Sequence, residues 1–276
     1  MPKQTFIFET IEAFLQASAG PSDMDTCDRT SRWEISQRAD DCFMSESFEA
    51  ALELAIKGWP EGAKQARAIS ISAAENLQRT AAPRREWRRA VYGGGSLLVN
   101  SYLQGQPDCY LHKIKNRSNN FIRLVLNVGA VGAVSSEILI RRGVTAAAAC
   151  EYLELNRYRV KIQFAYRNAS GDYDAEWLVT LKNFNESLDL DRIAFFLGHP
   201  SCLRRLIFSH EETFSAPWRR ALNIGNNYGR GCDTSRDLLG EDSIYLSRAD
   251  TGNNWHSVEA AIVEMKTVLA KKGIKI

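Results

Sequence analysis

The first sustained hydrophobic pattern in the chain has helical spacing. Phe48, Ala51, Leu52, Ala55 and Ile56 recur at three- and four-residue intervals after Ser47, a residue suited to cap a helix, and Gly58-Trp59-Pro60 ends the run. Ala63, Ala66, Ile69 and Ala73 continue the same period after Pro60, so a second helix is expected to about Arg79, before Pro83 interrupts. The preceding 45 residues have scattered apolar positions around the turn-rich Ala19-Gly20-Pro21-Ser22-Asp23. They predict irregular structure or a packed arm. Ser96 to Leu103 alternates, Gly105-Gln106-Pro107 turns, and Cys109 to Lys115 alternates with period two, as a strand does.

Beyond the polar turn Asn116 to Asn120 the pattern changes to that of a layered sheet. Ile122 to Val128 is a short, β-branched and leucine-rich run of the kind buried at a sheet's centre. A small-residue loop, Gly129 to Val134, leads to a helix capped by Ser135 or Ser136 and ending near Asn156. Tyr158 to Tyr166 alternates, giving β-α-β, and Glu176 to Lys182 is close enough to pair antiparallel with it. Asp189 or Ser187 opens a further helix closed by Gly198-His199-Pro200. Leu203 to Ser209 reads as a helix turn feeding a strand, Ser243 to Leu246 as a last short strand, and Val258 to Leu269 as the carboxy-terminal helix. The expected fold is α/β, with a mixed, mainly parallel Rossmann-like sheet flanked by helices over residues 116–276. A mostly helical part with an acidic arm precedes it over residues 1–115.

Composition narrows the class without naming an activity. With 276 residues, 45% hydrophobic and 25% charged, the chain is an ordinary globular sequence with a core to bury. No apolar run approaches the roughly 18 residues of a membrane span. Phe6 to Leu15 contains Glu9 and Glu12 where a secretion signal is uncharged, so a cytoplasmic protein is expected. Six widely spaced cysteines without a CxxC pair suggest reduced thiols rather than zinc or a disulfide framework. No cofactor motif is present: Gly93-Gly94-Gly95 lacks both the P-loop Gly-Lys-Ser/Thr and the GxGxxG spacing.

Charge is uneven along the chain. Residues 1–54 hold four Lys and Arg against eleven Asp and Glu, and residues 55–92 hold eight against three. The two stretches can attract each other, or the second can offer a basic face to a polyanion. Its densest part contains Arg79, Arg84, Arg85, Trp87, Arg88 and Arg89, which supply phosphate contacts and a stacking surface for nucleic acid. Equally, these arginines suit the chain's own acidic arm or an acidic partner.

The order strand, helix, strand, antiparallel strand, helix, strand over roughly residues 120–275 resembles the von Willebrand factor A domain. That family ends its first strand in Asp-x-Ser-x-Ser, which holds magnesium. The corresponding residues here are Asn127, Gly129 and Val131, so the resemblance implies the fold with a degenerate metal motif and no metal. The blocks Ser47–Gly62, Ser101–Tyr110, Asn127–Gly143 and Leu188–Glu212 are similar to an uncharacterised family encoded by bacteriophages and mobile elements. That resemblance implies a bacterial host cell or a virion as the setting and supplies no catalytic residue.

Among the four histidines, His199 sits at a helix end, where capping accounts for it. His210-Glu211-Glu212 follows the strand expected before Ser209, the place where open sheets present ligand groups, and Cys202 or Cys109 could complete a thiol-imidazole pair or metal cluster there. Asp189 and Asp191 are accounted for by the first turn of a helix. These residues predict a non-enzymatic interaction or assembly factor with a protein partner or self-assembly. The alternatives are a nucleic-acid-binding protein using Arg79–Arg89, and an enzyme whose site, with Asn127, His210 and Glu211, lies on the loops at the carboxyl ends of the strands.

Overall fold

A computed structural model describes residues 2–25, 28–32, 47–76, 86–91, 96–114, 121–131, 134–155, 158–225, 231–240, 242–250, 258–271 and 273. In chain order the elements are β1 (Lys3–Phe8), α1 (Ile11–Ser18), α2 (Phe48–Lys57), α3 (Pro60–Asn76), β2 (Glu86–Ala90), β3 (Ser96–Leu97), α4 (Val99–Leu103), β4 (Tyr110–Ile114) and β5 (Phe121–Asn127). There follow α5 (Ser136–Leu155), β6 (Arg159–Ser170), β7 (Tyr173–Lys182), α6 (Leu190–Gly198), a π-helical segment Cys202–Ile207, α7 (Phe208–Glu211), α8 (Ala216–Ala221), α9 (Arg236–Leu239), β8 (Ser243–Leu246) and α10 (Val258–Lys271). Among the described residues no helix is long and apolar enough to cross a membrane.

Two compact units result, one from residues 1–77 with 121–276 and one from residues 78–120. The larger is α/β, with a mixed, mainly parallel sheet in the order β1-β7-β6-β5-β8 flanked by helices. Among the described strands of this sheet, β6 and β7 run antiparallel and the other neighbours parallel. The helix-covered face carries Leu124, Leu126, Ile162, Phe164, Trp177 and Val179, packed in one core with Phe14, Phe195, Phe196 and the small residues of α5. The opposite face has a smaller cluster of Val125, Ala165, Leu178 and Leu239. Beside it runs a polar ladder in which Arg123 Nε donates to Gln163 Oε1 (2.6 Å) and Gln163 Nε2 to Thr180 Oγ1 (2.9 Å).

Local signals place the helices. Ser47 Oγ accepts from Ala50 N and Asp189 Oδ1 from Arg192 N, each satisfying a donor that the first turn leaves open. Gly58 ends α2 at φ 93°, and an added Cβ there would lie 2.5 Å from Asp191 Cβ. Gly143 lets α5 pass close to α6, because a Cβ would lie 2.1 Å from the carbonyl oxygen of Leu197.

Three expectations are corrected. The first 45 residues are not all irregular: β1 adds to the sheet edge beside β7, from Lys3↔Asp174 to Phe8↔Val179, and α1 follows with Thr10 as its cap. Six residues at an edge, with Ile7 exposed, are too few to display a period, and pairing with β7 makes the strand. The alternation from Ser96 to Leu103 gives only the two residues of β3 before α4. Val99, Tyr102 and Leu103 fit helical spacing as well as they fit a strand. Leu203 to Ser209 contains no strand, because residues 200–211 are helical throughout. Leu203, Leu206, Ile207 and Phe208 are all buried, and a short apolar run in a helix buried on every side looks like a buried strand in sequence.

Candidate functional site

The carboxyl end of β5 holds a dense polar centre. Buried Asn127 accepts from Gly129 N on Oδ1 (2.8 Å), while its Nδ2 donates to Cys232 O (2.8 Å) and Tyr245 Oη (3.0 Å). Tyr245 Oη also accepts from Thr234 N (3.0 Å) and donates to Asp233 Oδ1 (3.1 Å). Residues 231–234 are therefore tied down over the strand end. Cys232 N reaches Arg167 O (2.8 Å), and Asn168 pairs with Gly231 as an isolated antiparallel bridge. An amide, with a donor and an acceptor on one head, serves this position where a carboxylate would repel Cys232 O.

Arg142 of α5, 2% exposed, ties the neighbouring strand end. Its Nη1 donates to Asn127 O (2.9 Å) and its Nη2 to Leu246 O (3.2 Å) and Ser247 O. Burial lowers its pKa to about 10, so it remains a cation at neutral pH. Further along β6 and β7, buried Glu176 accepts from Ser235 N (2.7 Å) and Ser235 Oγ (2.8 Å) and pairs with Lys3 Nζ (2.8 Å). Arg167 grips Asp174 through two bonds, of 2.9 and 3.1 Å.

His210 and Glu211 lie in the interior on α7, not on an open loop. His210 Nδ1 accepts from Trp177 Nε1 (3.0 Å), and its ring meets Phe6, Phe8 and Phe214 edge-on. Burial pushes its pKa down to about 4, so it is neutral at pH 7. Glu211 Oε1 accepts from Asn168 Nδ2 (2.7 Å), with the Tyr166 hydroxyl also beside the carboxyl group. Burial first, then the negative charge of Glu212, pushes Glu211 up to about 8. Tyr166 is raised by burial and by the proximity of Glu211, and Cys202 by burial alone. These acids are held in their neutral forms.

Glu212 faces the other way and anchors the amino-terminal arm. Its Oε2 accepts from Arg29 Nε (3.0 Å) and Ser31 Oγ (2.5 Å), its Oε1 from Ser31 N (2.9 Å), and its backbone oxygen from Ser22 Oγ. Arg205 adds a bond to Ser31 O (3.0 Å) and Ser209 one to Ser18 O (2.7 Å).

Of the residues singled out in sequence, Asn127 and Glu211 both border residues 231–234, the second through Asn168. His210 packs beneath them in the aromatic cluster. His199 is buried at the end of α6, with Nδ1 accepting from Ser201 N (3.2 Å) and its ring stacked on Phe195. Arg79, Arg84, Arg85 and Gly93–Gly95 lie outside the described residues. Trp87 and Arg88 are described by their backbone in β2, and Arg89 is exposed. Arg142, Glu176, Asp233 and Tyr245 were not legible as site residues, because nothing in their local sequence marks them for burial or convergence. The described cysteines 109, 150, 202 and 232 form no disulfide, and no three described His, Cys, Asp or Glu residues cluster as a metal site.

No curated protein and no solved structure matches the chain. One family model, described as a domain of unknown function (DUF7192), matches residues 3–276 and so takes in the sheet, the Asn127 centre and the helix that carries Glu211. A match of that extent shows that the chain belongs to the DUF7192 family.

Proposed function

We propose that this protein is a non-enzymatic interaction or assembly factor of a bacteriophage or related mobile element, working in the host cytoplasm or on the virion. In this reading its sheet is a von Willebrand A-like layer whose metal position has become an amide clamp. One observation carries it: both hydrogen-bonding functions of Asn127 are engaged by the chain's own Gly129, Cys232 and Tyr245. Open α/β sheets present ligands at this end of their strands, and here the edge is covered by residues 231–234. The strand order β7-β6-β5-β8, the helix joining β5 to β6, and the β6–β7 hairpin support the layer assignment.

Affinity capture of the full chain from its host, followed by nuclease treatment and light scattering of the purified protein, tests the reading. The expected result is a protein retained at constant stoichiometry after nuclease, or self-association. A monomer that retains no protein overturns it, as does turnover that chelation or thiol alkylation abolishes.

A further inference from the structure

The unit formed by residues 78–120 differs in charge from the rest of the chain. It holds eight Lys and Arg against two Asp and Glu, whereas the remaining 233 residues hold twenty-seven against thirty-one. Its sheet, in the order β2-β4-β3, sets the arginine-bearing strand β2 beside β4, which carries Lys113. β2 and β4 are antiparallel, with Trp87↔Lys113, Arg88↔His112, Arg89↔Leu111 and Ala90↔Tyr110 in register. Side chains alternate between faces along a strand, so Trp87, Arg89, Leu111 and Lys113 are register positions of one face. Arg89 is exposed and held only loosely, 3.9 Å from Asp108 Oδ2 and 3.4 Å from Gln106 Oε1. Leu97, Val99, Tyr102 and Leu103 are exposed in the same unit.

A partner for such a surface needs negative charge at regular intervals and flat apolar groups between them. Single-stranded nucleic acid has both, because phosphates pair with Arg and Lys while unpaired bases stack on aromatic rings. A duplex presents the phosphates but keeps its bases stacked on one another. We infer that the three-stranded sheet of residues 78–120 binds single-stranded nucleic acid through the face that carries Trp87, Arg89 and Lys113. This inference is independent of the protein-partner reading, since it concerns a different unit and different residues.

The test is fluorescence anisotropy of labelled oligo(dT) and oligo(U), and of a duplex of equal length, with the full chain at about 50 and about 200 mM salt. Single strands are expected to bind in preference to the duplex, and two phosphate contacts, from Arg89 and Lys113, would weaken binding about sevenfold across that salt range. Arg89→Glu combined with Lys113→Glu is expected to lower single-strand affinity at least about tenfold, and Trp87→Ala about tenfold. Circular dichroism and melting curves check that each variant is folded; if Trp87→Ala is not, exposed Arg89→Glu alone decides. Absence of salt-sensitive binding by the intact chain overturns the inference. So does equal binding of the duplex, or binding of polyglutamate alone.

Discussion

The two units use polar residues in opposite ways. In the larger one, Asn127, Arg142, Glu176 and Glu212 are buried and their polar atoms are directed at other parts of the same chain. In the unit of residues 78–120, the charge of Arg89 and the apolar side chains of Leu97, Val99 and Leu103 face solvent. A buried polar group must find partners within the fold, so it reports on stability, whereas an exposed one is available to something else. By that contrast the buried polar centres of the larger unit are structural, whereas the exposed face of the smaller one is a contact surface.

Glu212→Ala should have the greatest effect on stability. Removing a buried carboxylate that holds Arg29 and Ser31 should lower stability by about 3–5 kcal/mol. Urea denaturation reads the loss, and limited proteolysis should show cleavage within residues 18–32 first. A change under about 1 kcal/mol would mean that the arm is not anchored as described.

Next comes Asn127→Asp. A carboxylate directed at Cys232 O loses the donated bonds and adds repulsion, for an expected loss of about 2–3 kcal/mol. Magnesium should not restore the melting temperature, because Gly129 and Val131 offer no side-chain ligand. Restoration by magnesium would show that the metal position is latent.

The pH dependence is a subtler test, since two buried groups on α7 act in opposite directions. His210 falls from 6.5 to about 4 on folding, so the unfolded chain binds more protons and stability rises with pH between those values. Glu211 rises from 4.5 to about 8, so the folded chain holds the extra proton and stability falls from pH 4.5 to 8. The contributions oppose each other up to about pH 6.5, and above it only the Glu211 loss remains. Thermal melts of Glu211→Gln against the parent should therefore show a gap that widens in favour of the variant as pH rises to 8. A constant gap would mean that Glu211 is already ionised in the fold.

The smallest effect belongs to the exposed pair. Arg89→Ala should change stability by less than about 1 kcal/mol in a chemical melt, as expected for a solvent-exposed ion pair. A larger loss would place Arg89 among the structural residues and remove the contrast between the two units.

How far the sequence could be read depended on whether the cause was local. Ser47, Gly58 and Asp189 act within one helical turn, and the buried run of β5 and the alternation of β6 are visible within nine residues. β1 was not visible, since its partner β7 lies about 170 residues away. Nor were the positions of His210 and Glu211, because their run reads as a strand until its burial on all sides is known. Asn127 stood out from the family resemblance, yet its amide partners Cys232 and Tyr245 come from a distant loop and strand.

The α/β class, the interior buried strand β5, the caps of α2 and α6 and the concentration of basic residues near Trp87 follow from local sequence, because periodicity, capping and composition are properties of neighbouring residues. Only the tertiary fold covers the carboxyl end of β5, makes Glu211 and His210 neutral and interior, and sets Arg89 of β2 on one face with Lys113 of β4. Burial and strand register depend on residues far apart in the chain, and desolvation, which sets the charge of a buried group, exists only once they have met.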